Sequence, residues 1–587
     1  MLADHSQASA APSDAPRSIW SGDVAILIYI ALATIVVHVL TGGRYGFHRD
    51  ELATLDDARH LAWGYIAYPP VTPFFGRISL ILFGTSLSGF RFFAAVAQAG
   101  AVLLTGLMAR EMGARRNAQV VAALAAVPAC LGGGALMQYV SFDYFFWVLA
   151  AYFMVWPLWR AGFPIEIAQN EGWNAYHADA AMGAAPLYPS TDTLIINNYP
   201  PLSFYAIGAL AQVFGDALYV GRAVSLLSTA ALAVLIATVI RQLGGGRAGA
   251  AVGGLWFVAV MARAFNRFAG MNDPQLTGHA LMMAALAWLL AREARSKSAV
   301  PPILAMAAAG FYKHNIVAVP VTALLWLALP DWRRAVLPAV IGAGAAALGL
   351  VICIAAYGDV FLANLLTPRP LGLMRAINGL GRLQWILPAL VMWGIWIAAE
   401  PKTRAARFTL LFVAVSFAVY LLQWAGEAIL DNAQFDLVIA TAVGLGLAFD
   451  RAGATAFGQR HGETAARAVV TLVVAARLVA TLRIEPALVL FDPAYRAQYF
   501  ANAEVVREEA ARIAKIPGPV ACDYKVVCRL AGKPFSYDDF RAEMLVATGA
   551  SHGLDEQGLM RAHGLTYFHN DPRGGIEALY RTLAGKP

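Results

Sequence analysis

An all-α polytopic membrane protein with a small C-terminal α/β domain is the architecture this sequence predicts, on three observations. Of its 587 residues, 59% are hydrophobic and 14% are charged, whereas soluble domains run near a quarter charged. Apolar runs approaching the ~20 residues that a span requires recur along most of the chain. Arg and Lys largely punctuate those runs in short loops, as the positive-inside rule expects of cytoplasmic loops.

The runs lie near 24–41, 90–109, 117–137, 142–159, 219–240, 248–262, 277–291, 301–312, 316–329, 334–357, 384–399, 407–423, 434–449 and 466–481. Basic punctuation falls at Arg110, Arg115 and Arg116, at Arg241 and Arg247, at Arg292, Arg295 and Lys297, at Arg333 and Arg334, and at Lys402, Arg404 and Arg407. The intervening loops carry the acids and the long polar inserts, so they are expected to face outward. The net charge of +7 is therefore topological. No basic groove interleaved with stacking aromatics points to nucleic acid.

Taken in order, residues 1–20 read as a disordered cytoplasmic lead. The run 24–41 has no small-x-small cleavage site after it, so it reads as an uncleaved span. Residues 21–160 form an N-terminal membrane block with a first acidic outer loop. Residues 161–218 are a polar insert and 219–482 the main membrane block; 161–482 together form the expected catalytic module. Residues 483–587 form a soluble outer tail. Its stretch 499–515 has helical period, followed by the strand-like runs PVACDYKVVCRLAG and LTYFHN. With an inside N-terminus, four runs before 161 return the chain to the cytoplasm, yet the downstream basic loops place 161–218 outside. Either one early run is not a full span (117–137 runs into Gly132-Gly133-Gly134) or the N-terminus is not inside.

Cys130 and Cys353 lie in apolar runs as packing residues. Cys522 and Cys528 lie in the outer tail, where a disulfide and two reduced thiols are both open readings.

The chemistry-bearing pattern occurs twice. Residues 45–70 read YGFHRDELATLDDARHLAWGYIAYPP, and residues 169–201 read QNEGWNAYHADAAMGAAPLYPSTDTLIINNYPP. Each has an acid in a polar stretch and closes on Tyr-Pro-Pro, a step that presets the backbone. A carboxylate at the mouth of a span can take a proton from an acceptor hydroxyl; a lone Glu171 would equally be a solvated loop acid. Trp173, Tyr176 and His177 suit a sugar ring or an interfacial aromatic belt. Asp273, in Asn272-Asp273-Pro274-Gln275, offers a second carboxylate for orienting an acceptor or holding a metal. Arg263 and Arg267 could pair a donor phosphate. Lys313-His314-Asn315 splits an apolar stretch and puts a cation near lipid phosphates. No P-loop, zinc-protease or serine-hydrolase motif is present.

In combination these motifs resemble the GT-C superfamily of membrane glycosyltransferases. The nearest branch is family 39/83, which contains protein O-mannosyltransferases, lipid A aminoarabinose transferases and lipopolysaccharide-core sugar transferases. RDEL…GYIAYPPVTPFFGR with SFDYFFW looks like one opening of this type; NEGWNAYHA…NNYPPLSFY with MNDPQLTGHA, FYKHN and DNAQFDLVIA looks like a second, more complete one.

The resemblance implies a GT-C fold of roughly 11–14 transmembrane helices. It implies an inverting transfer of a hexose or pentose from a polyprenyl-phosphate donor to a lipid, glycan or protein acceptor at the outer face of a bacterial inner membrane, with the site and tail in the periplasm. By the match, Asp50 is the base of the first copy, with Glu51 beside it and Asp143 as second acid. In the second copy Glu171 takes the base position and Asp273 the second-acid position. Lys313, His314, Arg267 and Arg263 are expected at the donor phosphate. Trp173, Asn174, Tyr176, His177, Asn198 and Tyr199 are expected at the sugar, with Tyr68 as the first-copy counterpart. A divalent metal ion is left open.

Family members normally have one such loop, and this chain has two; the second copy is favoured because its downstream partners are present. A transporter or lipid flippase, or a non-catalytic scaffold, are the competing classes.

Overall fold

The computed structural model describes residues 22–43, 46–47, 49–62, 71–111, 113, 115–131, 142–427, 429–480 and 482–568. Expectations for the lead 1–20, the Gly132-Gly133-Gly134 seam and Tyr68 fall outside them. The chain divides into two units, Met1–Phe145 and Phe146–Pro587.

In the first unit, helices Asp23–Thr41, Phe92–Glu111 and Arg116–Leu131 pack on one another. Leu27, Val102 and Ala123 are fully buried where they meet. Gly106 permits the approach: a Cβ there would lie 2.5 Å from Leu27 Cδ2. The short polar helix Arg49–Arg59 packs on Val71–Phe83.

The second unit is centred on two helices that are buried nearly all round, Arg247–Arg263 and Phe435–Asp450. Neither has one apolar stripe; both are hydrophobic on every face, as an enclosed helix must be. Small residues set their contact. A Cβ on Gly446 would meet Gly249 O at 2.4 Å, and one on Gly253 would meet Ala442 O at 2.7 Å. Asp450 accepts from the backbone N–H groups of Gly246 and Gly249, satisfying donors at the start of the partner helix. Ala217–Gln242 packs beside this pair, and Gln275–Glu293 packs in turn on Ala217–Gln242.

Five described helices are long and apolar enough to cross a membrane: Phe92–Glu111, Ala217–Gln242, Arg333–Tyr357, Arg404–Trp424 and Asp431–Asp450. The pair Leu373–Trp385 and Leu387–Ala399, bent by 84°, makes a sixth if it is one span, and shorter apolar helices accompany them. The protein is all-α and polytopic in its membrane part.

The tail is a small α/β layer. Val520–Cys522 and Thr566–Phe568 pair in parallel, with Val520 opposite Thr566. The helical period near 499–515 belongs to Pro493–Ala514, whose first N–H groups are capped by Asp492. The strand-like run after residue 519 is strand only to Cys522. Lys525–Leu530 is a helix, because its two valines are buried on packing against the tail core and the helix Asn170–Ala181, overriding their β preference. Cys522 and Cys528 are disulfide-bonded, joining the strand to that helix.

Candidate functional site

Helix Asn170–Ala181 organises the site of the second unit. Glu171, in its first turn, has no exposure, and neither does Arg222 of Ala217–Gln242. Arg222 Nε donates to Glu171 Oε1 at 2.8 Å and Nη2 donates to Oε2 at 2.6 Å. The remaining acceptor capacity goes to Ile167 N–H (2.7 Å to Oε2) and Asn272 N–H (2.9 Å to Oε1). The guanidinium also donates to the carbonyls of Phe163 and Ile165. Each lone pair of this carboxylate is used, so the geometry makes Glu171 a keystone that fixes the loop bearing Asn272-Asp273. It does not leave a base reaching into open space.

Asp273 differs. Its Oδ1 caps Gln275 N–H at 2.8 Å, while its buried Oδ2 has no hydrogen-bond partner among the described residues. It lines a narrow recess with Asn174, Ser203, Asn272, Thr277 and Tyr312. Gly221 opens this recess, since a Cβ there would fall 1.8 Å from Asn272 Oδ1.

Lys313 sits in the turn between Val300–Gly310 and Ala318–Ala328 and is 1% exposed. Its Nζ lies 3.1 Å from the Tyr199 ring centroid, a cation–π contact. Among the described residues it makes no ion pair. Tyr199 is held by its backbone: Asn197 Oδ1 accepts from its N–H at 3.1 Å, and its carbonyl accepts from Tyr188 OH at 2.9 Å. The Pro-Pro step then delivers the chain into helix Leu202–Phe214. Asp273 and Arg369 are both near enough to act electrostatically on Lys313. The exposed His314 faces Tyr199, with ring centroids 6.2 Å apart, and Asn198 is half-buried.

The aromatic residues expected to flank a sugar are spent on packing. Trp173 Nε1 donates to Asp538 Oδ2 at 2.9 Å, and its ring meets Tyr199 edge-on. Tyr176 OH donates to Lys533 O at 2.9 Å, and its ring stacks on Phe535. His177 is buried with Nδ1 2.8 Å from Trp173 O, and burial pushes its imidazole down to about 4. Their faces bind the tail to the helix, leaving Asn174 as the residue of this set that lines the recess.

Two more buried acids lie where the tail meets the insert, Glu166 before helix Asn170–Ala181 and Asp538 in the tail. Glu166 accepts from Gly172 N–H and from Val526 N–H at 3.2 and 2.9 Å, and burial pushes its carboxyl up to about 8. Asp538 is pushed up to about 6 by burial, against the opposing charge of Lys525.

Arg263 and Arg267 are not gathered at Lys313. Arg263 stacks over Trp385, and Arg267 is exposed. In the first unit, Arg91 donates to both oxygens of Glu51 at 2.7 Å. The side chains of Asp50 and Asp143 lie outside the described residues. Among the described residues no group of three or more His, Cys, Asp or Glu is placed to share a metal ion.

Sequence reasoning missed Arg222, although a single arginine inside the apolar run 219–240 was the available signal. It also missed Tyr312, Arg369 and the buried pair His279–Asp436, whose Nε2 and Oδ1 lie 3.3 Å apart.

Fold and site together define a polytopic helical membrane protein with buried acid and cation groups at the ends of its spans. Residues 198–357 match the family model described as dolichyl-phosphate-mannose-protein mannosyltransferase, so the GT-C resemblance extends beyond the motifs to a contiguous segment. Two crystal structures of ArnT from Cupriavidus metallidurans, one apo and one bound to undecaprenyl phosphate, are similar to this chain. Each is 14% identical with a TM-score of 0.46 and covers 69% of this chain, and 88% and 87% of the respective ArnT chains are covered. No curated protein matches the chain.

Proposed function

We propose that the chain is an inverting glycosyltransferase, moving a sugar from a polyprenyl-phosphate carrier to a lipid, glycan or protein acceptor at the outer face of a bacterial inner membrane. The observation that carries the reading is the position of Tyr312. It lines both the polar recess holding Asp273 and an apolar groove of about 410 Å3 walled by Leu202, Leu281, Trp288 and Ala308. In this reading a prenyl tail lies in the groove with its phosphate beside Tyr312, the residue that precedes Lys313. The family model matched by residues 198–357 carries a polyprenyl-phosphate sugar in its description.

In this scheme Asp273 Oδ2 accepts the acceptor hydroxyl proton as the oxygen attacks C1 of the sugar. The C1–O bond to phosphate breaks, and the leaving polyprenyl phosphate is met by Lys313. Glu171 and Arg222 hold the loop that aims Asp273. Arg369 adds positive charge beside Lys313, and His314 offers a ring N–H donor.

The test is transfer from a synthetic polyprenyl-phosphate sugar by the full chain in nanodiscs, with the anomeric configuration of the product read by NMR. Asp273→Asn is expected to lower turnover by roughly 10²–10⁴-fold, and Lys313→Met to raise KM for the donor. Retention of the anomeric configuration, or full turnover in Asp273→Asn, sinks the scheme. Full turnover there together with its loss in Asp50→Asn moves the base to the first unit.

A further inference from the structure

Ser203 and Asp273 reach one recess from separate elements. Ser203 is the second residue of helix Leu202–Phe214, whose first N–H donates to Phe311 O at 3.2 Å and so ties the helix start to the turn that carries Tyr312. No helical turn precedes Ser203, so its hydroxyl has no helical carbonyl four residues back to bond. Asp273 is oriented by its other oxygen, since Oδ1 accepts from Gln275 N–H at 2.8 Å. Ser203 is 2% exposed and Asp273 6%. Neither Ser203 Oγ nor Asp273 Oδ2 has a hydrogen-bond partner among the described residues.

Other polar side chains in the walls have partners. Thr277 Oγ1 lies 2.9 Å from Ser228 Oγ, and Asn174 Nδ2 donates to Asn170 O at 2.8 Å. Asn272 Nδ2 donates to Glu171 O at 3.4 Å. Buried polar atoms in folded proteins are matched, and two that share a recess are matched by one atom able to serve both. The recess has a free volume of about 10 Å3, room for a single oxygen. A carboxylate only accepts, whereas a serine hydroxyl donates or accepts. The complementary group is a hydroxyl: it donates to Asp273, accepts from Ser203 and keeps a second lone pair free. A phosphate is too large for that space and repels the carboxylate.

We propose that Ser203 and Asp273 together seat the attacking oxygen, and that the seat admits water or a hydroxyl on an unbranched carbon and excludes phosphate and branched alcohols. This rests on the transfer reading and narrows its acceptor class. Ser203 Oγ–H holds the oxygen while the hydroxyl proton passes to Asp273 Oδ2. The oxygen bonds to C1 of the sugar, the C1–O bond to phosphate breaks, and polyprenyl phosphate leaves. With water in the seat, its second O–H donates to Ser203 Oγ and the product is the free sugar.

Turnover of the synthetic polyprenyl-phosphate sugar by the full chain in nanodiscs, with methanol and tert-butanol as the added acceptors, tests it. The wild type is expected to release free sugar and methyl glycoside, and at least about tenfold less tert-butyl glycoside. Ser203→Ala is expected to lower both products by roughly tenfold, as the loss of one buried hydrogen bond does. Ser203→Thr keeps the hydroxyl and adds a methyl group to the recess, so its ratio of methyl glycoside to free sugar should fall several-fold. Equal methyl and tert-butyl glycosides overturn the proposal, as do wild-type yields in Ser203→Ala or a wild-type product ratio in Ser203→Thr. Donor consumed when a crude membrane extract supplies the acceptors, but not with water or methanol, overturns the seat and leaves the transfer reading standing. Donor left intact under all of these conditions sinks both.

Discussion

Arg222 holds both carboxylate oxygens of Glu171, at 2.8 and 2.6 Å, with neither side chain exposed. In the first unit Arg91 holds both oxygens of Glu51 at 2.7 Å. Each acid opens a short polar helix, and each arginine stands in or just before the next long apolar helix. The doubled sequence pattern therefore corresponds to a doubled clamp. The residue before the clamped acid is Asp50 in one copy and Asn170 in the other.

Removing one partner of a buried ion pair strands the other charge, which typically costs about 3–5 kcal/mol. Arg222→Ala is expected to lose that much, read as a fall in thermal midpoint. Adding Glu171→Ala to it should recover part of the loss, because the stranded charge is gone. A double variant as unstable as the sum of the singles would show that the two residues act independently.

Gly172 is where the tail rests on the acid helix. A Cβ there would lie 2.5 Å from Lys525 Cβ and 2.6 Å from the backbone nitrogen of Val526. Backbone cannot swing aside as a flexible side chain can, so Gly172→Ala is expected to destabilise by about 1–3 kcal/mol, as overpacking does. Limited proteolysis should then cut sooner between 515 and 540. An unchanged cleavage rate would mean that the helix and tail separate at no cost.

Stability should fall as pH rises through the weakly acidic range. Burial lifts Glu166 to about 8 and Asp538 to about 6, from ordinary values of 4.5 and 3.8. Between those limits the folded chain keeps protons that the unfolded chain has released, so their contribution is complete below about pH 4 and is lost as pH passes the folded values. The thermal midpoint is expected to be higher at pH 5 than at pH 8.5, and Glu166→Gln should flatten that difference. A Glu166→Gln variant with the wild-type pH slope would assign the dependence to other groups.

The membrane architecture was legible because span length and basic punctuation are properties of local composition. Asp273 stood out as an acid in the loop before the run 277–291, and Lys313 as a cation splitting an apolar stretch. What stayed hidden depends on which side chains meet. Glu171 reads as a free loop acid until Arg222, 51 residues on, is seen to saturate it. Trp173, Tyr176 and His177 read as a sugar platform until residues 533–538 cover them. Arg263 reads as a phosphate ligand of the acid site until Trp385 takes its face.

The contact between Lys313 and Tyr199 separates ring from hydroxyl. Lys313 Nζ lies 3.1 Å from the ring centroid, so the quadrupole of the ring stabilises the ammonium and the phenolic oxygen is incidental to that contact. A desolvated cation–π pair contributes about 2 kcal/mol, worth roughly 30-fold in an equilibrium. Tyr199→Phe keeps the ring and is expected to leave the donor KM within a few-fold of wild type. Tyr199→Leu removes the ring, freeing Lys313 to lose its proton or turn away, and is expected to raise KM by roughly 10–30-fold. Turnover at saturating donor should change less, because in the proposed scheme Lys313 meets the phosphate and Asp273 takes the proton. Equal losses in both variants would trace the effect to the hydroxyl, and a fall confined to turnover would place Tyr199 with the acceptor.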